Sequence, residues 1–501
     1  VTFEASWGWT LARALLMAGL TLPLAWGLRD LAQGLPDGRR RILWWLLLVP
    51  FLTPPLLTGY AYANFSLSLI RSPGWNETLL MALTVFRHLL VGTVVLWITP
   101  PGPLTASALY CAQLAGERPP RAGRGLRLFR ARVSRCCLSV TRGPERGVLP
   151  AGGVLFLLGF QEFELPSLML RPSWTVWLFD AQAGGLGLWD SLRFAVRPAL
   201  VSGGLAWGLW MGLNGTRFTA EVPLRRPPQR GRRVQRVLWC VAGIGPLLVT
   251  VIPFGIIGRE IFAGLPDVLA HRRMLREVAV SLGFGLGSGG AASLVAVLLL
   301  RAWWGSVGEI DRRRLLGLMA LLSLPGLMGS LLVSLVCRQV FQYAWIQPLY
   351  DSALPAVVAM VVVLLPRALF VHALLGSARS AGPLHLARLL MSADDAPRRR
   401  AAREQVWALR HRSSLIASGM VCLWGYLELT PMELLAPPGL TAAPVRLYNL
   451  MHYGRSPALS AMLLVVMLAP LAVCGLVLSG RRVLTWSTGS WRSGPKPESG
   501  G

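Results

Sequence analysis

Acidic side chains are scarce in this chain. Its 501 residues hold 23 Asp and Glu against 50 Lys and Arg, nearly all of them arginine, for a formal charge of +27. Charged residues of either sign make up only 15%, against about 25% in ordinary soluble domains. A nucleic-acid binder would gather its basic residues on one folded soluble face. Here they fall in short segments between apolar runs, so nucleic acid is excluded as a partner. The seven cysteines, among them the adjacent Cys136 and Cys137, form no Cys-x-x-Cys pair. Neither a zinc site nor a disulfide framework is indicated. His88, His372 and His452 have no metal-ligand spacing, so no metal site is expected. No Gly-x-x-x-x-Gly-Lys-Ser/Thr loop occurs, and no Ser-His-Asp arrangement stands out. ATP hydrolysis is therefore expected on a separate chain, with no cofactor and no catalytic residue on this one. No cleavable signal pattern opens the chain, and Val1 suggests an alternative start codon or a truncated end.

What the chain has is long apolar runs. Hydrophobic residues make up 53%, and several runs exceed the ~18 residues needed to cross a bilayer. The reading is an all-α, polytopic membrane protein with about eleven transmembrane helices. The spans fall at about 7–27, 42–64, 78–99, 148–170, 191–213, 237–257, 278–300, 315–335, 354–376, 415–437 and 458–478. Basic loops stay in the cytoplasm. Arg39 to Arg41, the arginine-rich segment 100–147, the linker 214–236, and segment 377–412 all go to that side. The N-terminus is then outside and the C-terminus inside. The loop holding Arg259, His271, Arg272, Arg273 and Arg276 carries more positive charge than an outer loop should. Pro50, Pro54 and Pro55 in the second span predict a kinked, packed helix. The aromatic segment 171–190, with Trp174, Trp177, Phe179 and Trp189, suits an outer interface belt.

One stretch occurs twice. LPAGGVLFLLGFQEFELPSLMLRPSWT, residues 149–175, aligns without a gap to LIASGMVCLWGYLELTPMELLAPPGLT, residues 415–441. Gly153 meets Gly419, Gly159 meets Gly425, Glu162 meets Glu428, and Pro172 meets Pro438. Asp311-Arg312-Arg313-Arg314 echoes Asp37-Gly38-Arg39-Arg40-Arg41, and Arg367 in span nine echoes Arg87 in span three. Repeats decide architecture. They divide the chain into a first half (1–213), a cytoplasmic basic linker (214–236), a second half with a lead-in helix (237–480), and a disordered Ser/Gly/Pro-rich tail (481–501). Each half has five matching spans, and one helix links them. Duplicated halves with the pathway at their seam are a common transporter plan.

Glu162 and Glu428 would sit about two-thirds of the way across their spans, taking ~1.5 Å per residue. A charge there costs ~2.5–3.5 kcal/mol on insertion scales, so each must face the bundle or a wet cavity. Two readings stay open. The carboxylates line a translocation path, or they pair with Arg87 and Arg367 to hold the bundle together. The arginines could also snorkel to the cytoplasmic surface. Glu164 and Glu433 lie nearer the outer end and are expected to be solvated.

Residues 415–454 carry a family resemblance. After the span with Leu427-Glu428-Leu429 come Ala436-Pro437-Pro438-Gly439-Leu440, Arg446-Leu447-Tyr448 and Tyr453-Gly454. This order, with Leu35-Pro36-Asp37-Gly38-Arg39-Arg40, resembles the permease core of binding-protein-dependent ATP-binding-cassette importers, in the fused ferric-iron type. The resemblance implies two cytoplasmic ATPase subunits, each docked on one half, an extracytoplasmic substrate-binding protein, and alternating access in a bacterial cytoplasmic membrane. The family's docking motif, Glu-Ala-Ala, three residues, Gly, is matched only in part. In the first half Tyr110-Cys111-Ala112 precedes Gly116. In the second His385-Leu386-Ala387 precedes Met391. Ala112, Gly116, Ala387 and Met391 are the docking-loop candidates, without the glutamate in either copy and without the second glycine. Competing expectations are an ion-gradient-driven secondary transporter with duplicated halves, using Glu162 and Glu428 as ion sites, and a membrane scaffold that does not transport.

Overall fold

The structure is a computed structural model that describes residues 2–68, 72–99, 143, 145–214, 231–306, 308–377, 386–387, 389–392, 395–407, 411–452 and 457–473. Among the described residues every regular element is helical. Six helices are long and apolar enough to cross a membrane, or up to eight if each of two bent pairs counts as one span. Bulky apolar side chains stay exposed along them: Leu15, Leu16 and Leu20 near the N-terminus, and Leu286, Leu294 and Leu298 in the middle of the chain. Such belts belong against lipid, and the chain is a multi-pass membrane protein.

Helix α1 (Phe3–Gly34) starts on Thr2, whose side chain accepts a hydrogen bond from the Ala5 amide. It stops at Leu35, because Pro36 holds the preceding residue extended. The bent pair α2 (Asp37–Leu52) and α3 (Pro55–Ser68) follows, then α4 (Pro73–Ile98). After the first basic segment come α5 (Val148–Phe160), the short α6 (Glu164–Leu168), α7 (Trp174–Ala183) and α8 (Leu188–Asn214). Helix α9 (Arg232–Pro246) runs through a π turn, Leu247–Val251, into α10 (Ile252–Ala270). The remaining helices are α11 (Arg272–Gly305), α12 (Glu309–Leu327), α13 (Ser330–Phe341), α14 (Leu354–Ser377), α15 (Ala396–Val406), α16 (Arg412–Leu427), α17 (Thr430–Leu435), α18 (Ala443–His452) and α19 (Pro457–Val473).

Two triads form the body. Helix α1 packs on α4 and α5, and α11 packs on α14 and α16. Small residues bring the backbones together, as they do where lipid offers no hydrophobic drive for helix association. A Cβ on Gly289 would lie 2.6 Å from the Cα of Cys422, and one on Gly285 would lie 2.7 Å from the Tyr426 nitrogen. Only hydrogen fits at that crossing. Each triad also ties down a short helix with a hydroxyl. Thr10 Oγ1 accepts from the Trp174 amide at 3.0 Å, and Ser281 Oγ accepts from the Ala443 amide at 2.7 Å. Those amides open α7 and α18 and have no partner within their own helices.

The triads are laced by exchanged helices. Helix α8 bridges them, packed on α5 and α7 as well as on α12, while α9 lies against α2 and the π turn reaches α4. Buried Leu238 and Ala242 of α9 join the core of Leu28, Leu43, Leu47 and Leu89. The π turn is held chemically. Its wider winding sends the Ile252 amide to the Leu247 carbonyl, and Pro253 has no N–H to give. The carbonyls of Leu248 and Val249 are therefore short of donors, and the first bundle supplies them. Tyr62 donates to Leu248 O at 2.8 Å and Thr58 to Val249 O at 3.0 Å.

Several expectations need correction. The repeated stretch is not one continuous helix: it breaks after Phe160 and again after Leu427, and the glutamates sit at those breaks. The second span does kink, as its prolines predict: it bends by 69° at Thr53-Pro54, with Pro50 inside α2. Its later counterpart bends by 94°, between Leu327 and Ser330. There Gly329 takes φ +100°, a backbone open to glycine at no steric cost. The basic segment expected as a loop is helical, with Arg259 in α10, which continues to Ala270, and Arg272, Arg273 and Arg276 in α11, which begins at Arg272. Trp174 is buried on Phe160 rather than in a lipid interface, because its indole Nε1 donates to the Phe160 carbonyl at 2.8 Å. Trp189 does stay exposed.

Candidate functional site

The two breaks face each other. Helix α5 ends with Gln161 as its cap, and Glu162 and Phe163 follow before α6. Helix α16 ends with Glu428 as its cap, and Leu429 follows before α17. The breaks turn both glutamates off the helix surface, and an accepted bond from the Leu165 amide, at 3.4 Å, steadies Glu162. Between the breaks lies a cavity of about 340 Å3. Its wall runs from the breaks along α4 to Val95 and along α14 to Leu375.

All four charged residues singled out in the sequence line this cavity. Arg87 of α4 pairs with Glu162 at 3.7 Å, and Arg367 of α14 pairs with Glu428 at 3.3 Å. The two readings of the glutamates thus meet in one geometry, in which each carboxylate both pairs between helices and faces the cavity. The pairs differ in wetness. Arg87 is 16% exposed and Arg367 39%, while their carboxylates are 15% and 13% exposed. Burying two charges costs several kcal/mol each, and only close pairing and further hydrogen bonds offset it. A cavity that admits water lowers that cost.

Glu164 lines the same cavity, and sequence reasoning missed it. Two residues past Glu162, it opens α6. It lies within electrostatic reach of Arg87, Glu162, Arg367 and Glu428. Among the described residues its carboxylate has no hydrogen bond or ion pair. The signal was present in the repeat, where Glu164 aligns with Thr430, another residue of the cavity wall. Glu433 is exposed, as expected.

The seam is closed on one side by Gln161, whose Nε2 donates to the Leu327 carbonyl at 3.0 Å. That carbonyl ends α12 at the second bend. A small void of about 50 Å3 continues beyond, bounded by Phe163, Trp174, Met328 and Gly329. Next to Arg87, His88 is buried in the cavity wall and donates from Nδ1 to the Thr84 carbonyl at 2.8 Å. A separate buried cluster fastens the loop after α6. Glu77 accepts from both Arg13 and Arg171, and Arg13 also donates to the Pro172 carbonyl at 2.9 Å.

Of the docking-loop candidates, Ala112 and Gly116 lie outside the described residues, as does the tail 481–501. Ala387 is buried and Met391 exposed. Among the described residues no three His, Cys, Asp or Glu side chains converge closely enough to hold a metal ion. Set against protein-family models, curated proteins and solved structures, the chain finds no match in any of the three.

Proposed function

We propose that the chain is the permease subunit of an ATP-binding-cassette importer: two homologous five-helix halves plus a linking helix, eleven crossings in all, in a bacterial cytoplasmic membrane. Substrate crosses by alternating access through the cavity between the breaks. Two copies of a separate ATPase drive the change from the cytoplasmic side, and an extracytoplasmic binding protein delivers the cargo. The resemblance to the ferric-iron type concerns the fused architecture; ferric iron as the cargo rests on that analogy alone. One observation supports this reading most: the arginine–glutamate pairs from equivalent places in the repeat flank a single cavity. The state described here would be the one open toward the cytoplasm. In that reading the charged residues and Gln161, bonded to the Leu327 carbonyl, sit at the helix breaks, and the wall running along α4 to Val95 and along α14 to Leu375 leads to the mouth.

The test joins partner capture to accessibility. The chain is expressed in its own host, purified with whatever ATPase accompanies it, and reconstituted. V94C reports the cavity wall along α4, and S330C the seam between the cavity and the small void, both of which Ser330 lines. ATP trapping should protect Cys at 94 from a maleimide and expose Cys at 330. If no ATPase co-purifies and neither position responds to ATP, the importer reading fails.

Glu164 favours a second reading, an ion-gradient-driven secondary transporter. A cavity carboxylate that makes no direct ion pair is what an ion-coupled site needs. Uptake that follows a proton gradient and ignores ATP depletion would select it.

A further inference from the structure

We infer that the central cavity takes an organic monocation with an apolar body, its charge placed against Glu164. The inference rests on the reading of this cavity as the translocation path. Charge gives the sign of the ligand. Three carboxylates line the cavity against two guanidiniums, and each guanidinium is engaged by its own glutamate. Glu164 is the carboxylate left over. Ionising an unpaired carboxylate against an apolar wall is costly, and a cationic ligand offsets that cost where an anion adds to it.

The walls give the body. Phe51, Val91, Val94, Leu157, Phe370 and Trp424 line the cavity. Phe51 and Trp424 come from α2 and α16 and meet edge to face with ring centroids 6.3 Å apart. Ring faces at a seam are a favourable surface for an onium or guanidinium group. A volume of about 340 Å3 falls at the lower end of the range for small-molecule sites. A bare metal ion fits less well, because among the described residues the acids do not converge into a ligand set.

Purified full-length protein in lipid nanodiscs, without ATPase, is titrated with benzyltrimethylammonium and, separately, with benzenesulfonate. Empty nanodiscs provide the subtraction. The cation should bind saturably and the anion should not. E164Q should weaken the cation at least tenfold, E164D should retain it to within a few-fold, and E433Q, outside the cavity, should change nothing. Binding that is equal in E164Q and the parent protein overturns the inference, as does benzenesulfonate binding as tightly as the cation. Should E164Q not fold, the comparison of the two ligands decides alone. The experiment uses no nucleotide, so a failure here with ATP-dependent labelling intact rejects only the ligand class. Loss of the ATP response with cation binding intact rejects only the importer.

Discussion

Arg87 and Arg367 hold similar jobs in unequal surroundings, and the difference can be measured. Removing one partner of a fully buried pair costs about 3–5 kcal/mol, mostly because the other charge is left stranded. Around this cavity the penalty shrinks with access to water. R87M should therefore lower the melting temperature in detergent clearly, and R367M, whose arginine is 39% exposed, by less. The double variant R87M/E162Q should recover much of what R87M loses, since no lone charge remains. Equal losses in both arginine variants would show that exposure does not set the cost. The sequence made Arg87, Arg367, Glu162 and Glu428 legible because a charge in an apolar run is rare and each occurs at a repeated place. Glu164 escaped notice because it was placed by depth along a continuous helix. The break after Phe160 turns it back into the cavity instead.

At the scale of elements, the breaks and crossings carry the architecture. The π turn shows how an irregular backbone is tolerated within a membrane bundle, its spare carbonyls taken by Thr58 and Tyr62 of another helix. T58V and Y62F should each cost about 1 kcal/mol, in the range of interhelical hydrogen bonds in membranes. Their combination should show in hydrogen exchange as faster opening of residues 247–251. Unchanged exchange would mean that the turn holds itself. The α11–α16 crossing is stricter, because a hypothetical Cβ at Gly289 already meets backbone rather than a yielding side chain. G289V should prevent accumulation of folded protein, whereas G290A, which faces open space, should be neutral by fluorescence-detected gel filtration. Prolines in the sequence announced that the second span would kink. They did not say where, because Pro50 sits inside α2 while Pro54 falls at the 69° bend. Nor could composition tell that Trp174 would be buried, since an indole suits an interface as well as a core. The Phe160 carbonyl, left free near the end of α5, decides it.

For the molecule as a whole, membrane class and helical content were readable from hydropathy alone, whereas the exchange of helices between triads was not. Sequence order puts α8 with the helices before it and α9 with those after it. In space α8 bridges the two bundles and α9 lies against the first: Ala195 of α8 sits in the core of Phe156 and Phe160 while Gly203 meets Leu324 of α12, and Leu238 of α9 meets Gly27 of α1. G203C/L324C should cross-link under mild oxidation and be seen as a mobility shift once the chain is nicked in segment 215–230. Absence of the link in folded protein would contradict the exchange. Severing the chain in that segment and co-expressing the pieces should still give a complex. Either piece alone should be degraded, because each would expose a groove built for a helix carried by the other.

The crossover of α8 and α9 also bears on biogenesis. Helices leave the ribosome in order, so α1 to α4 enter the membrane long before α9 exists to cover Gly27 and Leu47. Helix α8 arrives with its landing site on α12 still unsynthesised. The nascent first bundle must therefore wait with one open flank, held by lipid or by an insertion chaperone. Arrest of translation just before residue 232 should leave it sensitive to quality-control proteases, and release from arrest should rescue it.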